Sequence, residues 1–230
     1  MRAEPRCHGS ARLATVAWMT RESAFVRRRL DAVVGLAGLA VLVVCAITVR
    51  GGTVGSLERR LFEAINGLPD ALEPPMRLAQ FLGVLVVGPV VAIVALVLRR
   101  WRLALAAILV TVGKLAAERT VWHFVSRQRP GQTEPNAIVR GGTATSGVSF
   151  VSGHVILVTA LAWVITPYLH GRWRLAPWVV VGVVSFARVY LGAHNPLDVV
   201  GGICLGLAVG AVANLIVAVP ADPTVTADGR

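Results

Sequence analysis

The stretch ARVYLGAHNPLDVVGG, residues 187–202, decides how the chain is read. An apolar run, 175–192, leads into it and another, 197–219, leads out, so its polar residues sit where one helix ends and the next begins. Pro196 suits the first helical position and Asn195 the N-cap before it. His194 then precedes the second helix and Asp198 lies in its first turn. A carboxylate there can fold back on the imidazole, keep one ring nitrogen protonated and leave the other as a free lone pair. Taken alone, Asp198 could equally complement the helix dipole. Arg188 lies six residues before His194, where an unpaired guanidinium is costly unless it meets water or an anion; snorkelling to headgroups is the plainer use of a lone arginine there.

Two more polar islands interrupt apolar sequence upstream. In FVSGHVILV, residues 150–158, Ser152 is a natural N-cap and Gly153 and His154 fall in the first helical turn, where free backbone N–H groups make an anion site. Before it runs SRQRPGQTEPNAIVRGGTATSGVSF, residues 126–150, which contains Arg129-Pro130 and is long for a connection inside a packed protein. The three islands together hold two arginines, two histidines and a carboxylate. That set can bind a phosphate, attack it and protonate the leaving group.

The rest of the chain supplies a membrane setting. Hydrophobic residues make up 55% and charged residues 15% of 230 residues, with a mean hydropathy of +0.68, which excludes an ordinary soluble domain. Apolar runs at about 32–49, 78–98, 103–125, 152–169, 175–192 and 197–219 predict an all-α, polytopic bundle of about six transmembrane helices. The expected organisation is a basic cytoplasmic tail over 1–31, a membrane domain over 32–219 and a short polar tail over 220–230. Arginines cluster in the N-terminal segment, at Arg99, Arg100 and Arg102, and at Arg172 and Arg174. These segments lie on one side, the cytoplasmic one by the positive-inside rule, and the islands then face outward at the cell membrane. The same arginines account for most of the formal charge of +11, and no aromatic-interleaved basic module accompanies them, so nucleic acid is not an expected partner. Cys7, Cys45 and Cys204 are far apart and lack ligand spacing, which predicts neither a disulfide framework nor a metal site. The first thirty residues lack a cleavage site, and Met19 offers an alternative start. Nothing in the sequence assigns an oligomeric state.

At these islands the chain resembles the type 2 phosphatidic acid phosphatase superfamily, whose membrane branch contains lipid phosphate phosphatases and whose distant soluble branch contains vanadium haloperoxidases. The family pattern is a lysine, six residues and Arg-Pro; then Pro-Ser-Gly-His; then Ser-Arg, five residues, His, three residues and Asp. Arg129-Pro130, Ser152-Gly153-His154, and Arg188 with His194 and Asp198 match it here. The resemblance implies that His194 attacks phosphorus to form a phosphohistidine, Asp198 orients it and His154 protonates the departing oxygen. Arg129, Arg188, Ser152 and Gly153 would cradle the phosphate, with no metal or other cofactor. The implied partners are a lipid phosphate, either a polyprenyl (di)phosphate or a phosphatidate-like lipid, and the surrounding membrane lipids.

Three positions depart from the pattern: Trp122 replaces the lysine, Val151 the proline and Ala187 the serine. A missing charge donor at a transition state costs about a hundredfold or more in rate. Arg119, one turn before Trp122, Arg127 and Arg140 are the candidates to compensate. Lys114 and Glu118, four residues apart, are expected to form a structural ion pair. The departure at Trp122 keeps open a second function, a lipid-phosphate-binding membrane protein with weakened turnover. A channel with a histidine proton path ranks last, because only the third run carries ionisable residues in its interior.

Overall fold

The computed structural model of the chain describes residues 25–221; the basic tail up to residue 24, with Cys7 and Met19, and residues 222–230 lie outside them. The chain divides into two units, of which Arg27–Val219 carries the helices, while Phe25–Val26 and Pro220 in the other are extended.

Helices α1, Arg29–Thr48; α4, Val87–Val97; α5, Trp101–Phe124; α7, Gly153–Ile165; α8, Ala176–Tyr190; and α9, Pro196–Val217, form over the expected apolar runs, while α2, Ser56–Asn66; α3, Glu73–Gln80; and the single turn α6, Pro130–Thr133, lie wholly or mostly outside them. The run expected as one span over 78–98 is broken. The segment Asp70–Gly83 meets α4 at an angle of 64°. Pro89 is the reason: inside a longer helix it would lack a donor for the Leu85 carbonyl and press its ring on that group. Starting α4 at Val87 puts Pro89 in the first turn, where no donor is needed, and Val84 turns to extended backbone to allow it.

Among the described residues, α1 and α9 are long and apolar enough to cross a membrane, and Asp70–Val97 adds a third span if the bent pair is taken as one. Leu36, Val43, Val44 and Ile47 on α1, and Ile93 and Val97 on α4, are exposed. An apolar surface of that extent requires a lipid environment.

Helix α9 forms the axis of the bundle and packs on α1, α7 and α5. Gly202, Gly206 and Gly210, four residues apart, let it approach α7 so closely that an added Cβ would fall 3.0, 2.7 and 3.0 Å from the carbonyl oxygens of Ser152, Ile156 and Ala160. Close backbone approach of this kind is how helices associate where no hydrophobic drive exists between them. It also sets Ser152 beside the start of α9, where the Ser152 N–H donates to the Asp198 carbonyl at 3.0 Å. More than four turns further along α9, Asn214 donates to the buried carboxylate of Asp31 at 3.1 Å, and the Trp163 indole does so at 2.8 Å.

Candidate functional site

The long segment between α5 and α7 is ordered by two arginines. Arg140 donates to the carbonyls of Asn66, Tyr190 and Leu68 at 2.7, 2.9 and 3.1 Å and to Asp70 at 3.0 Å. The Asn66 side chain reciprocates by pairing with both backbone groups of Ile138. Arg127 is fully buried and donates to Glu58 through both terminal nitrogens, at 2.9 and 2.7 Å, and to Asp198 Oδ1 at 3.0 Å. Burial opposes its charge, but Glu58 and Asp198 outweigh burial and hold the guanidinium above its ordinary range. Glu58 also accepts the N–H of Leu197 at 2.9 Å, so one carboxylate ties α2 to both Arg127 and the start of α9.

These ties bring the three islands together. Arg129 donates to the Ala193 carbonyl at 3.0 Å, and the Arg188 carbonyl accepts the N–H groups of Ala193 and His194 at 3.0 and 3.2 Å. Asn195 is the N-cap residue and Pro196 opens α9, as the sequence predicts, with the Asp198 carboxylate accepting the Asn195 N–H at 2.8 Å. Asp198 also accepts from the Ser149 hydroxyl.

The orientation of His194 differs from the simple expectation. Its Nδ1 is 3.9 Å from Asp198 Oδ2, too far for a hydrogen bond, and 2.9 Å from the Ser149 carbonyl. A carbonyl only accepts, so Nδ1 carries the proton and Nε2 keeps its lone pair. Asp198 acts on the ring through Ser149, whose hydroxyl lies 3.4 Å from Nδ1.

His194 is 3% exposed. Burial, followed by the charges of Arg188, Arg129 and His154, pushes its imidazole well below the ordinary 6.5, with the Ser149 carbonyl pulling weakly the other way. Around it stand donors that have no partner among the described residues: Nε of Arg129, Nε of Arg188 and the hydroxyl of Ser152, which occupies the N-cap position without capping. Burial lowers the pKa of Arg129, yet Asp198 and Glu118 favour its charged form. Donors buried without acceptors beside two cationic side chains are suited to accept an oxyanion. Gln80 and Gly83, from the bent segment before α4, complete one wall. The Gln80 side-chain oxygen accepts from Arg188 at 2.6 Å, and a Cβ on Gly83 would lie 2.7 Å from the His154 Cβ.

All seven residues predicted from the sequence thus sit at this site, at the ends of α7, α8 and α9 and the segment after α5. Ser149, Glu58 and Gln80 were not predicted, and no local pattern marks them. Of the three arginines offered as candidates to compensate for Trp122, Arg127 and Arg140 direct their terminal nitrogens at protein acceptors, and Arg119 is exposed.

The neutral His194 has a consequence for stability. In the unfolded chain it takes a proton near pH 6.5, while in the folded protein it does so only at much lower pH. Below about pH 6.5, down to the pH at which the folded protein also takes the proton, acid therefore favours the unfolded state and the His194 contribution is lost as pH falls. Thermal melts from pH 7.5 to 5 should show a steady loss for wild type and a flatter profile for His194→Asn; parallel profiles would contradict the buried neutral state.

Comparison with known proteins carries the same geometry further. The family model described as the PAP2 superfamily matches residues 95–220. The undecaprenyl-diphosphatase candidate YbjG of Escherichia coli K12 is 30% identical over 159 residues, 66% of this chain and 78% of that one. The decaprenylphosphoryl-5-phosphoribose phosphatase of Mycobacterium tuberculosis H37Rv is 37% identical over 95 residues, 40% of this chain and 49% of that one. In fold, the chain resembles LpxE of Aquifex aeolicus, with a TM-score of 0.61 at 21% identity over 71% of this chain and 98% of that one. It also resembles the PAP2-type phosphatidylglycerolphosphate phosphatase of Bacillus subtilis, with a TM-score of 0.63 at 20% identity over 78% and 94%. The matched region contains all three islands and the helices that hold them, and the chain belongs to the PAP2 superfamily.

Proposed function

We propose that the protein is an integral membrane phosphatase that hydrolyses a lipid phosphomonoester or pyrophosphate, a polyprenyl (di)phosphate or a phosphatidate-like lipid, through a phosphohistidine at His194. The observation that carries this is the buried His194, whose Nδ1 meets the Ser149 carbonyl and leaves Nε2 free, beside the unpartnered donors of Arg129, Arg188 and Ser152. In the first step Nε2 forms a bond to phosphorus as the bond to the leaving oxygen breaks, and His154 gives that oxygen a proton. Water then attacks phosphorus, His154 takes its proton, and the nitrogen–phosphorus bond breaks to free phosphate and neutral His194. The arginines and the Ser152–Gly153 turn stabilise the charge that spreads over the equatorial oxygens. No metal is needed in this scheme.

An apolar groove beside this site suits the chain of such a lipid. The groove, of about 390 Å³, starts at Leu82, next to the turn against His154, and follows Val158, Leu161 and Ile165 along α7 to Trp173. An acyl or prenyl chain with its phosphate at His194 would lie there. Filling the groove with Val91→Trp should raise KM for a long-chain lipid phosphate on the order of tenfold, the worth of two lost methylene contacts. Hydrolysis of a short soluble phosphomonoester should not change, and an equal effect on both substrates would argue against the groove.

The arginine distribution supports six spans with both termini cytoplasmic and the site on the outer face. In this arrangement α7 and α8, of 13 and 15 residues, are shorter than a full span and carry His154 and Arg188 near their outer ends. The test is phosphate release from a panel of lipid phosphates by detergent-purified protein, with chelator present. Release that His194→Ala abolishes supports the proposal. Binding of phosphate without release from any lipid would instead mark a lipid-phosphate-binding protein.

A further inference from the structure

Lys114 is the only lysine of the chain, which otherwise uses arginine for its permanent cations. In α5 its Nζ is 2.6 Å from Oε2 of Glu118, and the two side chains are only 12% and 9% exposed. This is the ion pair that a spacing of four predicts. The spacing does not reveal where the pair points. A Cβ on Gly153 would fall 2.9 Å from Nζ of Lys114 and collide with Oε1 of Glu118. The pair therefore lies against the first helical residue of α7, within the phosphate cradle. Lys114 acts electrostatically on His154, and Glu118 on Arg129. Trp122, in the position of the family's lysine, is 39% exposed, and Arg119 is exposed as well.

A buried pair is a weak source of stability, because desolvating both charges offsets most of their attraction. Its placement beside Gly153 gives it another use. We propose that Lys114 is the cation that contacts the substrate phosphate in place of the lysine missing at Trp122, and that Glu118 is a positioning residue that holds the ammonium beside Gly153. The proposal rests on the phosphatase reading above. An ammonium has three donors, so Nζ can keep Glu118 and still donate to a phosphate oxygen. A dianionic phosphate then meets Arg129, Arg188 and Lys114, with Glu118 tempering the excess of positive charge. A flexible stem suits this task better than the rigid guanidinium fork, because the ammonium must shift between carboxylate and phosphate as the reaction proceeds.

Calorimetric titration of inorganic phosphate into detergent-purified wild type, Lys114→Met and the double variant Lys114→Met/Glu118→Gln tests this, with melting temperature and lipid phosphate hydrolysis measured on each. Both variants should bind phosphate on the order of ten- to a hundredfold more weakly than wild type, the cost of one charge-assisted hydrogen bond. The double variant, having no unpaired buried charge, should melt no lower than Lys114→Met. A purely structural pair makes a different prediction: removing both charges restores wild-type affinity. That restoration, or wild-type affinity in Lys114→Met itself, overturns the proposal. If Lys114→Met alone fails to fold, the double variant carries the comparison. A wild type that binds phosphate but releases none from lipids defeats the phosphatase reading and leaves the Lys114 contact to be judged on the affinities. A wild type that binds no phosphate defeats both.

Discussion

Arg127→Ala should lower the melting temperature by about 10 °C, corresponding to about 3–5 kcal/mol for removing one partner of a buried charge network. The guanidinium has no exposed surface and bridges Glu58 to Asp198, with a further bond to the Thr53 carbonyl at 3.1 Å. Its loss leaves two carboxylates facing each other without a counter-ion, one of them also tied to the first turn of α9 through Leu197. Arg127→Lys should rescue little, because an ammonium cannot reproduce the paired bonds to both Glu58 oxygens. Glu58→Gln should cost less than Arg127→Ala, since Asp198 still balances the guanidinium. Thermal melts in detergent check all three, and a full rescue by lysine would show that charge alone, without the fork geometry, holds the site. Because Asp198 and Ser149 share a hydrogen bond and the Ser149 carbonyl orients His194, the same variant should lose turnover even below its melting point.

His194→Ala should reduce phosphate release on the order of ten-thousandfold or more, the scale seen when a nucleophile is removed from a site whose parts act as a unit. The substitution removes the only atom proposed to bond to phosphorus. It spares Arg129, Arg188, Ser152 and His154, so phosphate should still bind, and its affinity should change far less than the rate. This separates the nucleophile from the cradle. Arg188→Ala should do the reverse, weakening phosphate binding along with rate. Single-turnover release and phosphate titration on the two variants distinguish these outcomes, and a His194→Ala protein that retained measurable turnover would require a different nucleophile.

Much of the bundle could be read in the sequence because its signals are local. Apolar runs, the Pro196 and Asn195 pair at the start of α9, and the arginines between runs each speak for a few neighbouring residues. The break before α4 and the Gly202, Gly206 and Gly210 face on which α7 packs were not anticipated, although Pro89 and the glycine spacing stand in the sequence. The islands were recognisable by residue type and interval. The residues that support them were not. Glu58 meets Arg127 across 69 positions and Ser149 meets Asp198 across 49, and no periodicity links such pairs. Arg119 was a reasonable substitute for the absent lysine by helical spacing, yet it is exposed, while Lys114 two turns earlier than Trp122 lies against Gly153. Which face of α5 meets α7 depends on the rotation of one helix against another, and that is fixed by packing along their whole length.

The central claim is covalent chemistry at His194. Lipid phosphate labelled with radioactive phosphorus should be mixed with purified wild type and with His154→Ala, quenched in alkali within milliseconds and digested for peptide mapping. Alkali-stable, acid-labile label on the peptide bearing His194 is the predicted result. It should be greater in His154→Ala when the leaving group is activated enough to depart without a proton, because that variant lacks the base for hydrolysing the intermediate. Rapid phosphate release with no label on any histidine would contradict the account.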